Sequence, residues 1–383
     1  MTDVDKKIFW RGIIGLIVLR FLMVFLLVHN IPFTDMRLDG FRPNYGGSYF
    51  PDEVHYFELA ESFAKFSPAP NVANLGYPLF LAPIVYFTGA QNPAGISKIV
   101  FIVQALVFFS WAIFLTGLIA YEIFKKIKPA LIAASAFTFY PYLLLIVLRL
   151  AHFSRWIPAF HYQMWINIGA DYLSAVLLYF GFYLFIKKYN DGKINLASAV
   201  AAAAVFSLAA LTRVANIFYL PLIFVILIWL KKYRESAGFA AASFLVYLPQ
   251  WVYNFYFFGS PLTYGYRIKE LSGHGLETKI AGGWLSFGNA LTFFDRIRQD
   301  LPALILISPI LLAILFLGLR RIWRNDNVIS VILAFWILLD AGFYLFFVAA
   351  QSQLRYFIPS VAPLIILSIS GFEELYEKFH RFF

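Results

Sequence analysis

The stretch WRGIIGLIVLRFLMVFLLV, residues 10–28, contains only two charged residues, Arg11 near its start and Arg20 near its middle. A helix that crosses the hydrocarbon core of a bilayer needs about 20 mainly apolar residues. Runs of this kind recur along the 383-residue chain, which is 61% hydrophobic and 14% charged. Soluble domains carry about 25% charged residues. The sequence therefore predicts an all-α polytopic membrane helix bundle.

The net charge of +10 is distributed as small basic groups between the apolar runs. They are Lys6-Lys7 with Arg11, Lys125-Lys126 with Lys128, Lys187-Lys188 with Lys193, Lys231-Lys232 with Arg234, and Arg320-Arg321 with Arg324. These groups fall on every second connection, which is the pattern that the positive-inside rule produces in cytoplasmic loops. The basic excess therefore indicates topology and affinity for anionic membrane lipids, and nucleic acid is not expected as a partner.

Placing the basic groups in the cytoplasm gives about ten spans with both termini inside, in a single integral membrane domain of residues 1-383. The predicted spans are approximately residues 10–28, 96–124, 130–150, 165–186, 196–211, 214–230, 237–257, 301–319, 328–350 and 356–371. Two long loops reach the outer face, residues 31-77 and residues 258-300. The tail from Glu373 is predicted to be short and charged, with no appended soluble domain. We expect a multi-pass protein of a prokaryotic plasma membrane.

The first outer loop is predicted to contain two amphipathic or apolar surface helices. Residues 51–66 place Val54, Phe57 and Ala60 on one side and charged residues on another, and a proline opens the segment. Residues 76–86 are interrupted by prolines and too short to span a bilayer comfortably, which indicates an interfacial or re-entrant helix. The loop is therefore expected to lie across the outer end of the bundle.

Asp52 and Glu53 lie in the first turn of this predicted loop helix, where the helix N-terminus favours negative charge. Helical spacing places Asp52 with His55 and Tyr56 on one side, while Glu53 points elsewhere. A fixed carboxylate at a membrane surface can accept a proton from a hydroxyl or coordinate a cation. Acids are also common at ordinary helix starts, so residue chemistry alone leaves both interpretations open.

Four short patches resemble the GT-C superfamily of membrane glycosyltransferases. They are the Asp52-Glu53 pair followed by an aromatic residue, Gly76-Tyr77-Pro78-Leu79, the stretch from Pro249 to Asn254 with Phe258 to Leu262, and Arg355 to Pro359. The superfamily includes the dolichyl-phosphate-mannose protein mannosyltransferases and the bacterial aminoarabinose transferases that act on lipid A. No patch is a specific signature alone, and the resemblance depends on their order and their placement in the membrane.

The resemblance implies an active site at the outer face, roofed by the Asp52 loop. Such enzymes transfer a sugar, with inversion, from a polyprenyl-phosphate donor to a hydroxyl of a lipid or glycan acceptor. The general base of the family maps onto Asp52, and Glu53 matches the second acidic position, with His55 and Tyr56 as supporting residues. Residues 258-300, with Gly273, Gly275, Gly282 and Gly283, are expected to form a mobile cover or an acceptor site.

Cations are expected near the donor phosphate, because negative charge builds on the leaving group. Arg213 and Arg355 are predicted to bind this phosphate, since each lies at the outer end of a span. The ordinary alternative is that each anchors a helix end by snorkelling. Weaker candidates for the same task are Arg149, Arg155, Arg267 and Lys269.

No cofactor is expected, and the sequence indicates no metal site, although some GT-C relatives hold a metal near the catalytic carboxylate. Asp3-Val4-Asp5 lies on the predicted cytoplasmic end, and His152 and His161 lack the i, i+4 spacing of a helical zinc pair. The chain contains no cysteine, which excludes disulfides and thiolate ligands.

Three charged residues lie inside predicted spans: Arg20, Asp171 and Asp340. Because unpaired charges are costly in a bilayer, Arg20 and Asp340, at similar predicted depth, are predicted to be partners. The alternative function, a transporter or flippase for a lipid-linked sugar, would use such charges as an ion pathway. A third and weaker alternative is a non-catalytic subunit of a membrane assembly.

Overall fold

The structure, a computed structural model, describes residues 3–29, 51–150, 165, 168–263, 310–346 and 354–382. Within these residues the regular structure is entirely helical. The α-helices are α1 (Asp3–His29), α2 (Pro51–Ala64), α3 (Gly76–Thr88), α4 (Pro93–Phe101), α5 (Phe109–Phe124), α6 (Ile127–Leu150), α7 (Ala170–Asn190), α8 (Leu196–Thr212), α9 (Tyr219–Trp229), α10 (Tyr233–Phe258), α11 (residues 310–325), α12 (Asn327–Phe346) and α13 (Val361–Phe382). A π-helical segment, Ile102–Phe108, joins α4 to α5, and 3-10 segments at Val214–Phe218 and Leu354–Ser360 precede α9 and α13.

The described helices form a polytopic membrane bundle, as the sequence predicts. Five helical stretches are long and apolar enough to cross a membrane, by length and composition: Asp3–Phe25, Pro93–Phe124, Ile127–Leu144, Ala170–Asn190 and Phe357–His380. Shorter apolar helices accompany them, among them α8 and α12. The number of ten spans stays a prediction, and so does the division of the chain into one domain with two long loops.

Three of the basic groups, those of Lys125, Lys187 and Arg320, lie together at one end of the bundle. Asn190, after the Lys187 group, donates a hydrogen bond of 2.7 Å to the backbone oxygen of Glu122, next to the Lys125 group. Tyr189 donates to Asp326, 3.2 Å away, beside the Arg320 group. We call this the basic end. The loop helices α2 and α3 lie at the opposite end, which we call the loop end.

The C-terminal segment differs from its prediction as a short charged tail. Helix α13 continues through it to Phe382. Arg321 bonds to Glu377 at 2.8 Å and Arg324 bonds to Glu374 at 3.2 Å, so the acids of the tail are held against α11. These cross-helix ion pairs explain why the charged segment stays helical.

The two predicted loop helices are present. Helix α2 covers most of the predicted segment 51–66, and α3 is a helix of 13 residues, too short to span a bilayer. Phe57 and Ala60 of α2 are buried against Tyr77 and Leu81 of α3 in one apolar cluster. The pair therefore packs as a unit on the loop end of the bundle.

Gly76 is the contact through which this unit meets the bundle. A Cβ at Gly76 would lie 2.6 Å from the backbone nitrogen of Thr212, at the end of α8. The neighbouring atoms belong to backbone, which cannot rotate out of the way as a side chain can. Close approach of α3 to α8 therefore requires glycine at this position.

We expect Gly76→Ala to destabilise the protein by about 1–3 kcal/mol, the usual cost of overpacking a tight contact. Gly342→Ala is the matched control, because a Cβ at this helical glycine would meet nothing within 4 Å. Thermal unfolding in detergent, followed by tryptophan fluorescence, gives the comparison. Equal unfolding midpoints for the two variants would contradict the tight contact.

Candidate active site

In the acidic turn of α2, Asp52 and Glu53 point to different sides, as their helical spacing predicts. Glu53 is buried, with 5% of its surface exposed, whereas Asp52, His55 and Tyr56 are half-buried. Glu53 precedes Phe57 by four residues, and side chains four apart lie on the same face of a helix. Since Phe57 packs against α3, the carboxylate of Glu53 is carried inwards. Asp52 remains the more accessible of the two acids.

Glu53 lies close to Tyr77, a fully buried residue at the start of α3. Burial raises the pKa of the Tyr77 hydroxyl, and the nearby negative charge of Glu53 raises it further. The ring of Tyr56 meets the ring of Tyr77 edge-on, with 5.0 Å between centroids. Tyr77 therefore supports the acidic turn through its proximity to Glu53 and its ring contact with Tyr56.

The Tyr77 hydroxyl also joins α3 to two other parts of the chain. The backbone nitrogen of Gly169 donates to it at 3.1 Å, and Nε2 of Gln104 donates a second, short hydrogen bond. Gln104 lies in the π segment, and Gly169 is the N-cap of α7. The first loop, the π segment and the start of α7 therefore meet at one hydroxyl.

Asp171 lies in the first turn of α7, where the helix N-terminus stabilises its negative charge. The sequence predicts it about two turns inside a span, and the difference arises because α7 begins at Ala170 and not at Trp165. Asp171 forms a buried ion pair with Arg213, whose side chain is 13% exposed. Arg213 is the C-cap residue of α8 and lies at the loop end, as predicted.

Asp340 of α12 is buried and accepts a hydrogen bond of 2.7 Å from Oγ of Ser360. The positive charge of Arg213 acts on Asp340 as well as on Asp171. These polar groups form a series, which we call the polar line. Its members are Glu53, Tyr77, Asp171, Arg213 and Asp340. It leads from the acidic turn into the bundle.

The predicted pairing of Arg20 with Asp340 is wrong. Nε of Arg20 donates to the backbone oxygen of Ala105 at 3.1 Å, and its guanidinium lies 3.8 Å from the centre of the Phe109 ring. Ala105 belongs to the π segment, where the change of helical register frees carbonyl groups from their usual donors. Arg20 therefore satisfies a backbone irregularity that sequence depth could not reveal.

Arg355 lies in the 3-10 segment Leu354–Ser360, and only the backbone of this residue is described. The segment is held at its far end: Tyr179 donates a hydrogen bond of 2.6 Å to the oxygen of Ile358, and Ser360 bonds to Asp340. This anchoring ties the backbone that carries Arg355 to the polar line. Its predicted contact with a phosphate stays a prediction.

Several predicted residues lie outside the described part of the chain: His152, Arg155, His161, Arg267, Lys269 and the glycines of residues 258-300 from Gly273 onwards. The side chain of Arg149 is also outside it. Among the described residues, no group of three or more His, Cys, Asp or Glu side chains is placed to hold a metal ion.

Sequence comparison gives no match to a family model and none to a curated protein. Structural comparison gives a match to the crystal structure of the Archaeoglobus fulgidus oligosaccharyltransferase in complex with Zn and sulfate. The TM-score is 0.57 at 17% sequence identity, over 95% of this chain and 49% of that protein. The chain is therefore similar in fold to this oligosaccharyltransferase, a GT-C glycosyltransferase. It spans about half the length of the oligosaccharyltransferase, so the likeness concerns fold, and activity is a separate question.

Removing one partner of a buried ion pair leaves an uncompensated charge, at a cost of about 3–5 kcal/mol. We expect Arg213→Met to be more destabilising than Asp171→Asn, because Arg213 also faces Asp340 while Asp171→Asn leaves that interaction intact. Thermal unfolding of both single variants, and of the double variant Arg213→Met with Asp171→Leu, gives their order of stability. A double variant less stable than Arg213→Met alone would show that the pair is not coupled.

Proposed function

We propose that the protein is a membrane glycosyltransferase that moves a sugar from a polyprenyl-phosphate donor to an acceptor hydroxyl with inversion. The observation that carries the proposal is the placement of the Asp52-Glu53 turn on the polar line, at the loop end of a GT-C fold. The oligosaccharyltransferase with the similar fold is itself a sugar-transferring protein by its description. The acceptor is proposed to be a lipid or a glycan.

Asp52 is the proposed general base, because it is the accessible acid of the turn while Glu53 is buried. The carboxylate takes the proton of the acceptor hydroxyl as the acceptor oxygen forms a bond to the anomeric carbon. The bond between that carbon and the phosphate oxygen breaks, and its electron pair leaves with the polyprenyl phosphate. Attack from the face opposite the leaving group inverts the anomeric centre. General-base catalysis of this kind contributes about 10²–10⁴-fold to a rate.

Glu53 is proposed to hold the acidic turn of α2 in a fixed position relative to α3. Its carboxylate is fixed by burial next to Tyr77, and the rigid helix transmits that position to Asp52 one residue away. Nδ1 of His55 lies 3.7 Å from Oε2 of Glu58, so this histidine interacts along the helix surface. Tyr56 supports the turn through its ring contact with Tyr77.

The donor phosphate is proposed to bind Arg355 in preference to Arg213. The guanidinium of Arg213 is 13% exposed and already pairs with Asp171, so a phosphate would have to compete with a buried carboxylate. Arg355 follows Leu354 at the start of the anchored 3-10 segment.

The loop end is proposed to face outwards and the basic end the cytoplasm, since basic loops are retained on the cytoplasmic side. The membrane then presents the lipid-linked donor at the level of the acidic turn. The buried charges speak against the alternative of a flippase, because Asp171, Asp340 and Arg20 each have partners inside the protein. An ion pathway would need such groups to face water.

The test is a transfer assay in liposomes with radiolabelled polyprenyl-phosphate sugars and a lipid extract. We expect Asp52→Asn to lower kcat by about 10²–10⁴-fold, the contribution of a general base. Glu58→Gln on the same helix is the control, because its side chain is 56% exposed and lies off the acidic turn; its kcat should equal that of the wild type. Wild-type turnover in Asp52→Asn would remove Asp52 from the mechanism. Movement of the donor lipid across the bilayer without any transfer would support the flippase instead.

A further inference from the structure

Three polar side chains at the loop end of α10 are buried although they lie near the end of a helix: Gln250, Tyr253 and Asn254. Their exposed fractions are 1%, 7% and 1%. Their spacing of i, i+3 and i+4 places them on one helix face. Buried amides and hydroxyls need hydrogen-bond partners, so their contacts show what the helix end is built to hold.

The first set of contacts is with the segment that connects α2 to α3. The hydroxyl of Tyr253 donates to the oxygen of Ala69 at 2.8 Å and accepts from the nitrogen of Asn71 at 2.9 Å. Oε1 of Gln250 accepts from the nitrogen of Leu75 at 2.9 Å. This connecting segment has no regular structure, so its buried backbone groups depend on such partners.

The second set of contacts runs in the opposite direction. Nε2 of Gln250 donates to Oδ1 of Asn254 at 2.9 Å, and Nδ2 of Asn254 donates to the backbone oxygen of Pro261 at 3.0 Å. Turning over the amide of Gln250 would place an NH₂ group against the N–H of Leu75, so the direction of the bonds is fixed by chemistry. An unbroken series of hydrogen bonds therefore joins the segment before α3 to the segment after α10.

Apolar packing extends this connection to the acidic turn. Tyr253 shares a buried cluster with Leu59 of α2 and Leu75, and Tyr56 packs against the same cluster. Tyr56 follows Glu53 by three residues, less than one helical turn. Movement of the α10 end would therefore be felt by the helix that carries Asp52.

We propose that Gln250, Tyr253 and Asn254 are positioning residues that couple the segment following α10, Gly259–Thr263, to the acidic turn of α2. The consequence for transfer rests on the proposed function, whereas the coupling itself does not. The segment 259–263 begins the predicted second outer loop, and a displacement of this segment would reach the acidic turn through Asn254. We call the Gln250–Asn254 pair the amide relay.

The coupling can be measured without any substrate. The chain contains no cysteine, so cysteines introduced at Glu58 on α2 and at Leu262 carry the only spin labels. Both side chains are exposed, at 56% and 63%. Electron paramagnetic resonance in nanodiscs gives the distance distribution between the two labels, and we expect one narrow distribution for the intact relay.

Two substitutions break the relay while preserving shape. Asn254→Asp keeps the acceptor for Gln250 and loses the donor to Pro261, and Gln250→Glu keeps the acceptor for Leu75 and loses the donor to Asn254. We expect both to broaden the distribution. Lowering the pH should narrow it again, because a protonated carboxyl regains an O–H donor. Ser243→Ala is the control: its Oγ is buried on the same helix without a hydrogen-bond partner among the described residues, and this variant should leave the distribution unchanged.

Steady-state kinetics separate positioning from general destabilisation. We expect the relay variants to lower kcat by about tenfold or more with the donor KM unchanged, since a small misplacement of a catalytic group costs up to about 100-fold. If Asn254→Asp does not fold, the distance distribution and kcat of Gln250→Glu test the coupling. A narrow distribution in a folded relay variant, or the absence of recovery at low pH, would overturn the coupling. Broadening in the variants of a protein that transfers no sugar would refute the proposed function and leave the coupling intact.

Discussion

The hydroxyl of Tyr77 is the interaction on which the arrangement of the candidate site depends. It receives one N–H from the cap of α7 and one from the π segment, while its ring supports Tyr56. Apolar packing of α2 and α3 on the bundle resists separation but does not fix direction. The two donors give α3 one orientation, and α3 in turn determines how deep Glu53 lies.

Three buried charged residues, Arg20, Asp171 and Asp340, are each satisfied in a different way. Arg20 uses a carbonyl freed by the π segment and an aromatic face, Asp171 uses Arg213, and Asp340 uses Ser360. A charge inside a membrane protein costs several kcal/mol unless it finds such partners. The partners come from different helices, so the charges also specify which helices lie next to one another.

The sequence predicts the parts of the fold that depend on local pattern. Apolar runs and basic groups give the helices and their common basic end, and the period of Phe57 and Ala60 gives α2. The same helical period also places Glu53 on the buried face of α2, because Glu53 lies four residues before Phe57. A face defined from Val54 does not include Glu53. The helical tail could not be predicted in this way, since Glu374 is stabilised by Arg324, which lies 50 residues away.

The pairing of buried charges escaped prediction for a related reason. The depth of a charged residue along a span determines how much its burial costs. Which partner it finds depends on which helices are in contact and on where their backbones depart from regular α-helix. The π segment beside Arg20 has no pattern in its sequence, IVQALVF, that marks it as irregular. The contacts of Gln250 with Leu75 and of Asn254 with Pro261 depend on how α10 packs against the first loop, which the sequence of α10 does not indicate.

The charges of the polar line constrain where a phosphate can bind. Three carboxyl groups, those of Glu53, Asp171 and Asp340, are set there against the single guanidinium of Arg213. A lipid phosphate would add negative charge to this series, and electrostatic stabilisation of a leaving group needs cations that are not already neutralised. In the proposed function, the donor therefore needs a cation other than Arg213. Arg355 is the proposed cation, and its backbone lies five residues before Ser360 in the segment that Asp340 anchors.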